Sequence, residues 1–193
     1  VNSAAVLKAF CGEHGGITCT SSNAKAVMEW SWARREKILF FPDEHLGRNT
    51  ANKMGLPREE MIVWDPYQPN GGNTREAIQR AKLILWKGHC SVHQMFQPVH
   101  VDNFRKQYPD GKVIVHPECH EDVVNKADLS GSTELIIRTV TAAPSGTAWA
   151  VGTELNLVNR LKRDLTDKKV FFLSSTVCQC ATMFRIDGAH LCW

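Results

Sequence analysis

Short apolar runs alternate with helix-length amphipathic segments along nearly all of this 193-residue sequence, and that alternation constrains its fold more than any other feature. The runs read as strands at Gly16 to Thr20, Lys37 to Phe41, Met61 to Trp64, Leu83 to Trp86, Lys112 to His116, Ala148 to Gly152 and Val170 to Leu173. Helical patterns lie between them. Val101, Phe104 and Tyr108 fall at i, i+3 and i+7, and Leu157, Leu161 and Leu165 at i, i+4 and i+8, each set on one helical face. Strand and helix in alternation predict an α/β fold with short, mainly parallel sheets. The stretch from Pro66 to Asn73 is a loop, because its prolines and glycines punctuate both periodicities. Ala143-Pro144-Ser145-Gly146 ends the helix that starts near Thr133. The loop reads as an insertion near a boundary at about residue 87, which divides the chain into α/β units of residues 1–86 and 87–193.

Composition excludes several classes. A hydrophobic content of 43% suffices for one ordinary domain or two small ones, and aromatic and branched residues throughout rule out wholesale disorder. The formal charge of +3 is too mild to imply nucleic acid or an anionic membrane as partner. No apolar run approaches the roughly 20 residues that cross a bilayer, and no signal peptide precedes the first helix-like segment. With Val1 in place of an initiator Met, the expectation is a soluble, cytoplasmic protein cut from a longer one. The seven cysteines, Cys11, Cys19, Cys90, Cys119, Cys178, Cys180 and Cys192, are odd in number and irregular in spacing. They read as reduced thiols, most of them small core residues and a minority metal ligands or reactive groups.

Four apolar runs end in small or polar residues that open the next helix: before Ser21-Ser22-Asn23, before His116-Pro117-Glu118, at Ser130-Gly131 before Ser132-Thr133, and at Gly152 before Thr153-Glu154. In an open parallel sheet the carboxyl ends of the strands line the ligand crevice. Helix N-termini there offer backbone N–H groups and the positive end of a dipole to a carboxylate or phosphate. Each of these residues taken singly also reads as a plain N-cap.

Three stretches carry groups capable of chemistry. Trp86-Lys87-Gly88-His89-Cys90-Ser91-Val92-His93 sets a thiol and imidazoles just after a strand, and reads as a zinc half-site, a nucleophilic Cys–His pair or an inert strand end. Cys178-Gln179-Cys180 has one intervening residue and is neither a thioredoxin-type pair nor a zinc-finger knuckle. His116-Pro117-Glu118 sets two proton-exchanging groups about a rigid proline, either over the crevice or in a surface turn. Neither a P-loop nor a dinucleotide-binding glycine pattern occurs.

Taken in order, Val1-Asn2, Cys19-Thr20-Ser21-Ser22-Asn23-Ala24, Pro42-Asp43-Glu44-His45-Leu46-Gly47-Arg48, Gly88-His89-Cys90-Ser91-Val92-His93, His116-Pro117-Glu118, Gly131-Ser132-Thr133 and Gly152-Thr153-Glu154 resemble the quinolinate synthase family of bacterial NAD biosynthesis. The resemblance covers essentially the whole chain. It implies an iron–sulfur enzyme that condenses iminosuccinate, made by L-aspartate oxidase, with dihydroxyacetone phosphate, releasing phosphate and water to give quinolinate. It implies two of the family's three similar α/β/α units, with the active site at strand C-terminal ends between units. A [4Fe–4S] cluster held by three cysteines, with one iron open as a Lewis acid, is the implied cofactor.

Matched position by position, the resemblance makes Cys90 a cluster ligand and Cys180 another, with Cys178 the alternative to Cys180. Asn2, Ser21, His116, Pro117, Glu118, Ser132 and Thr133 are its substrate-binding residues. Glu118 is the implied general acid/base, and His116 orients substrate or shares its proton. Cys19 and Cys119 are read as small buried residues, and Asp43, Glu44, His45 and Arg48 as structural or domain-contact ones. The family's remaining cluster ligand lies in an upstream unit that this sequence does not contain, so the chain alone is expected to hold the cluster poorly and to be inactive. Two other classes stay open on the residues alone. One is a non-catalytic α/β module that binds a dicarboxylate or phosphate; the other is a zinc hydrolase using His89, Cys90 and His93.

Overall fold

The computed structural model describes residues 3–192, and the chain divides into two compact units, Val1–His89 and Cys90–Trp193. In the first unit, α1 (Ala5–Glu13) and α2 (Ala24–Trp32) precede β1 (Ile38–Phe40), α3 (Glu44–Lys53), β2 (Met61–Trp64), α4 (Arg75–Arg80) and β3 (Leu83–Trp86). The strands form a parallel sheet in the order β1-β3-β2, with Ile38 and Met61 both in register with Leu83. Its core gathers Ala24 and Met28 of α2, Leu46 and Ala51 of α3, and Phe40, Leu83 and Leu85 of the sheet. Leu83 and Leu85 share one face of β3 because side chains alternate along a strand.

One expected strand is absent. Residues 16–20 are irregular, and no described strand pairs with them. Gly15 has φ +70°, and the Gly16 N–H bonds back to Cys11 O at 2.6 Å, so the end of α1 turns the chain before any ladder forms. Ile17 is the one large apolar side chain in the run and stays exposed, so no burial offsets an unpaired strand.

The expected loop at residues 66–73 is a compact turn over the end of β2. The Asp65 N–H donates to Gly71 O, and Asn73 Nδ2 donates to Val63 O at 2.8 Å. Gly71 has φ +65°, and a Cβ there would stand 2.4 Å from the Trp64 ring, so the turn needs glycine on both counts.

The second unit runs α5 (Ser91–Gln94), α6 (Pro98–Gln107), β4 (Lys112–Val115), α7 (Glu121–Lys126), β5 (Leu129–Ser130), α8 (Thr133–Ala142), β6 (Ala148–Gly152), α9 (Leu155–Asp164), β7 (Lys169–Phe172) and α10 (Gly188–Cys192). Its four strands are all parallel, in the order β5-β4-β6-β7. Alternate residues feed two cores. Val113, Val115 and Ala150 pack with Val101 and Phe104 of α6 and Val123 of α7. Ile114, Trp149 and Val151 pack with Ile136 and Val140 of α8 and Val158 and Leu161 of α9. The sheet is therefore sandwiched between helix layers. Tyr108 and Leu165 act as C-caps of α6 and α9 at the ends of their expected faces. β5 has only two residues, too few to produce a periodic signal.

This strand order fixes where a site can form. From β4 the chain crosses by α7 to β5 on one side, then returns by α8 to β6 on the other. The C-terminal ends of β4 and β6 thus flank a topological switch point, where an open α/β sheet leaves a crevice. Among the described residues no helix is long and apolar enough to cross a membrane.

Candidate active site

At the switch point the β4–β6 ladder runs one bond beyond the strands, with the His116 N–H donating to Gly152 O at 2.9 Å. The chain then turns tightly through Pro117, and the Cys119 N–H donates to His116 O. Cys119 is buried, its Sγ 3.7 Å from Gly152 O, and serves as packing. The turn puts Glu118 back beside His116: the Glu118 N–H donates to His116 Nδ1 at 3.2 Å. That bond requires a lone pair on Nδ1, so His116 is neutral with its proton on Nε2.

Cys90 and His93 come from α5, a single helical turn. Cys90 is the N-cap of α5, so the thiol and the imidazole three residues on share a side of that turn. His93 is buried at 7% exposure, with a polar group facing each ring nitrogen. Its Nδ1 is 3.1 Å from Glu118 Oε2, and its Nε2 is 3.3 Å from the hydroxyl of Thr153, the residue that follows β6. The His116 ring stacks on His93 with centroids 4.5 Å apart. One ligand atom from each of Cys90, His93 and Glu118 lies within 4.8 Å of the others.

Electrostatics divides the labour between the two imidazoles. Burial opposes charge on His93, but hydrogen bonds to Cys90 and Glu118 outweigh it and raise its pKa to about 9. His116 goes the other way: burial, reinforced by the neighbouring His93 charge, lowers its pKa to about 3. Burial also disfavours the Glu118 carboxylate, yet the His93 hydrogen bond wins and holds its pKa below the ordinary value. At neutral pH the cluster is a carboxylate and an imidazolium beside a neutral imidazole.

The other expected site residues fall in several places. Pro117 is buried between His116 and Glu118. Ser132 caps α8, its hydroxyl accepting from the Leu135 N–H, and Thr133 is the first, exposed residue of that helix. The Gly131 N–H donates to Val115 O at 3.1 Å, which starts α8 beside the end of β4. Ser21 is half-buried in the turn ahead of α2, within the first unit. Asn2 lies outside the described residues. Cys180 is half-buried in the terminal segment, where its Sγ accepts the Met183 N–H at 3.4 Å, and Cys178 lies against its neighbour's carbonyl. Neither belongs to the Cys90–His93–Glu118 group. His89 is exposed and is likewise outside it, so the third donor beside Cys90 and His93 is Glu118.

Several motif residues prove to be scaffold. Asp43 caps α3 by accepting the Leu46 N–H at 2.7 Å, and Glu44 pairs with Arg48 one turn on. Gly88 packs against the Phe41–Pro42 corner, where a Cβ would stand 2.3 Å from Pro42 O. Cys19 is half-buried, and burial pushes its thiol pKa up, which keeps it protonated and poorly nucleophilic. Glu154 caps α9 through the N–H groups of Asn156 and Leu157. The sequence pointed to His93 only as a ligand of the zinc-hydrolase alternative, and to Thr153 only as a residue following an apolar run. The i to i+3 spacing from Cys90 to His93 was a usable signal; the contact of Thr153 with His93, sixty positions away, left none.

The family model for quinolinate synthetase A protein matches residues 1–193. The chain belongs to the quinolinate synthase family. Relatives named quinolinate synthase match its whole length: one from Rhodopirellula baltica is 61% identical over 194 residues, one from Acidobacterium capsulatum 56% over 195, and one from Nocardioides sp. 54% over 200. These matches cover 50%, 52% and 51% of the respective relatives, so the chain spans about half the length of the curated proteins it resembles.

Proposed function

We propose that the whole protein is a cytoplasmic quinolinate synthase, condensing iminosuccinate from L-aspartate oxidase with dihydroxyacetone phosphate to give quinolinate, phosphate and water. The observation that carries this reading is the partly buried Cys90–His93–Glu118–His116 constellation at the β4–β6 switch point, in a chain of this family.

The donor chemistry suits an iron–sulfur cluster in part. Cys90 presents a thiol at the constellation, and Cys180, with Cys178 as its alternative, offers a second from the terminal segment. Family resemblance puts the third thiolate outside these 193 residues, so Cys90 and Cys180 would hold the cluster together with that further ligand. When bound, the cluster supplies an open iron that polarises a substrate oxygen or nitrogen.

The residues of this chain do the rest. Glu118, ionised and oriented by His93, takes a proton from carbon or nitrogen in the imine–enamine and dehydration steps and returns it to the leaving oxygen. His116 is neutral, with Nδ1 committed to the Glu118 backbone, and its ring orients a substrate carboxylate without competing for the proton on Glu118. The α8 N-terminus at Ser132 and Thr133 offers backbone N–H groups to a second carboxylate, and family resemblance alone adds Ser21 and Asn2 as side-chain donors.

Assay of the full-length protein, expressed anaerobically, tests the reading. Glu118→Gln is expected to lower turnover about 10²- to 10⁴-fold, the range for loss of a general acid/base, with substrate binding retained. Undiminished turnover in that variant would remove Glu118 from the mechanism. The 193-residue chain alone is expected to form no quinolinate, and robust turnover by it would show that the missing ligand is dispensable.

A further inference from the structure

We propose that Cys90, His93 and Glu118 form a mononuclear binding site for a borderline divalent cation, zinc above all, in the chain without its iron–sulfur cluster. The site is distinct in ligand set from the cluster of the synthase reading: it needs no second cysteine, and it does not depend on that reading being right.

The geometry supports this at each donor. A tetrahedral zinc ion bound at ordinary Zn–S, Zn–N and Zn–O lengths holds its ligand atoms about 3.4 to 3.6 Å apart. His93 Nδ1 and Glu118 Oε2 are already 3.1 Å apart, and all three donors lie within 4.8 Å. Closing on an ion therefore takes shifts of about an ångström, within the reach of side-chain rotation. Thiolate, imidazole and carboxylate together suit zinc better than magnesium or calcium, which prefer all-oxygen shells.

Thr153 supplies the feature that separates a built site from a chance cluster. Its hydroxyl engages His93 Nε2, so the ring is fixed with Nδ1 towards Glu118. A metal-bound histidine needs such an outer partner, which sets both tautomer and ring direction. His116 stacks on the same ring and limits its rotation from the side. The rigid β4 and β6 strand ends position Glu118 and Thr153, and the turn of α5 carries the other two ligands. Three protein donors leave the fourth position of the ion to water.

The test titrates the metal-free 193-residue chain with zinc and, for its spectrum, with cobalt(II). The expected result is one ion per chain, with the intense visible bands of tetrahedral cobalt and a near-ultraviolet thiolate-to-cobalt band. Cys90→Ser should abolish the thiolate band. Thr153→Val should weaken zinc binding about 10- to 100-fold, as loss of an outer partner does, and Thr153→Ser should restore it. The double variant Cys178→Ser/Cys180→Ser should keep both stoichiometry and spectrum, although cluster binding in the full-length enzyme would suffer. That variant tests the site even if Cys90→Ser fails to fold. The proposal is overturned by absence of binding, by the weak spectrum of octahedral cobalt, by a thiolate band that persists in folded Cys90→Ser, or by its loss in the double variant.

Discussion

Replacing Glu118 with Gln removes a charge and almost no volume, so its effect on the metal-free chain isolates the partnership with His93. In the folded chain the His93 pKa stands at about 9 against an ordinary value of 6.5, because hydrogen bonds to Cys90 and Glu118 outweigh the cost of burial. A raised histidine pKa contributes stability that is fully present below pH 6.5 and is lost as pH rises through about 9. At about pH 7 the contribution is on the order of 2 to 3 kcal/mol, and at about pH 10 it is close to nil. His93 is almost wholly out of solvent, so screening takes little from that figure. Cys90 remains as a partner in the variant, which makes the estimate an upper bound. Urea denaturation of wild type and Glu118→Gln, each with chelator, should show a loss approaching 2 kcal/mol near pH 7 that fades towards pH 10. A loss of the same size at both pH values would refute the reasoning, since it would mean that Glu118 acts through packing alone.

Further expectations concern the neighbours of the site and the two cores. His116 has its pKa lowered to about 3, so it stabilises the fold above pH 6.5 and that contribution disappears as pH falls towards 3; His116→Gln should flatten this part of the acid limb in denaturation curves. Gly88→Ala drives a Cβ to 2.3 Å from Pro42 O, a backbone atom with little room to yield, and should cost about 1 to 3 kcal/mol or more, read as a lower Tm. Ile136→Ala empties a fully buried position between α8 and the second sheet, and should cost about 2 to 5 kcal/mol in the same measurement.

Much of the architecture was legible because it rests on periodicity. The parallel strands at Lys112, Ala148 and Lys169 are near-continuous apolar runs, as burial on both faces demands, and their helices show apolar stripes. Periodicity failed where length or partner decided the outcome. Residues 16–20 have strand-forming types but no described neighbour to pair with, and β5 is too short to show alternation. The site was legible one motif at a time. Proline between His116 and Glu118 pointed to a rigid turn, and the turn is there. Which groups meet across the fold was not legible. That His93 reaches Glu118, and that Thr153 engages its far nitrogen, follows from the β4–β6 register and leaves no mark in local sequence.

The contact between His93 and Thr153 spans sixty positions of chain and depends on two strands that are not consecutive in sequence. No local segment can therefore assemble the ligand cradle early: it is completed only after β4 and β6 have docked side by side, among the slower events in the folding of a parallel sheet. A nascent chain emerging from the ribosome exposes Cys90 long before Thr153 exists to orient its companion, so for that interval the thiol is an open target for oxidants and stray metal ions.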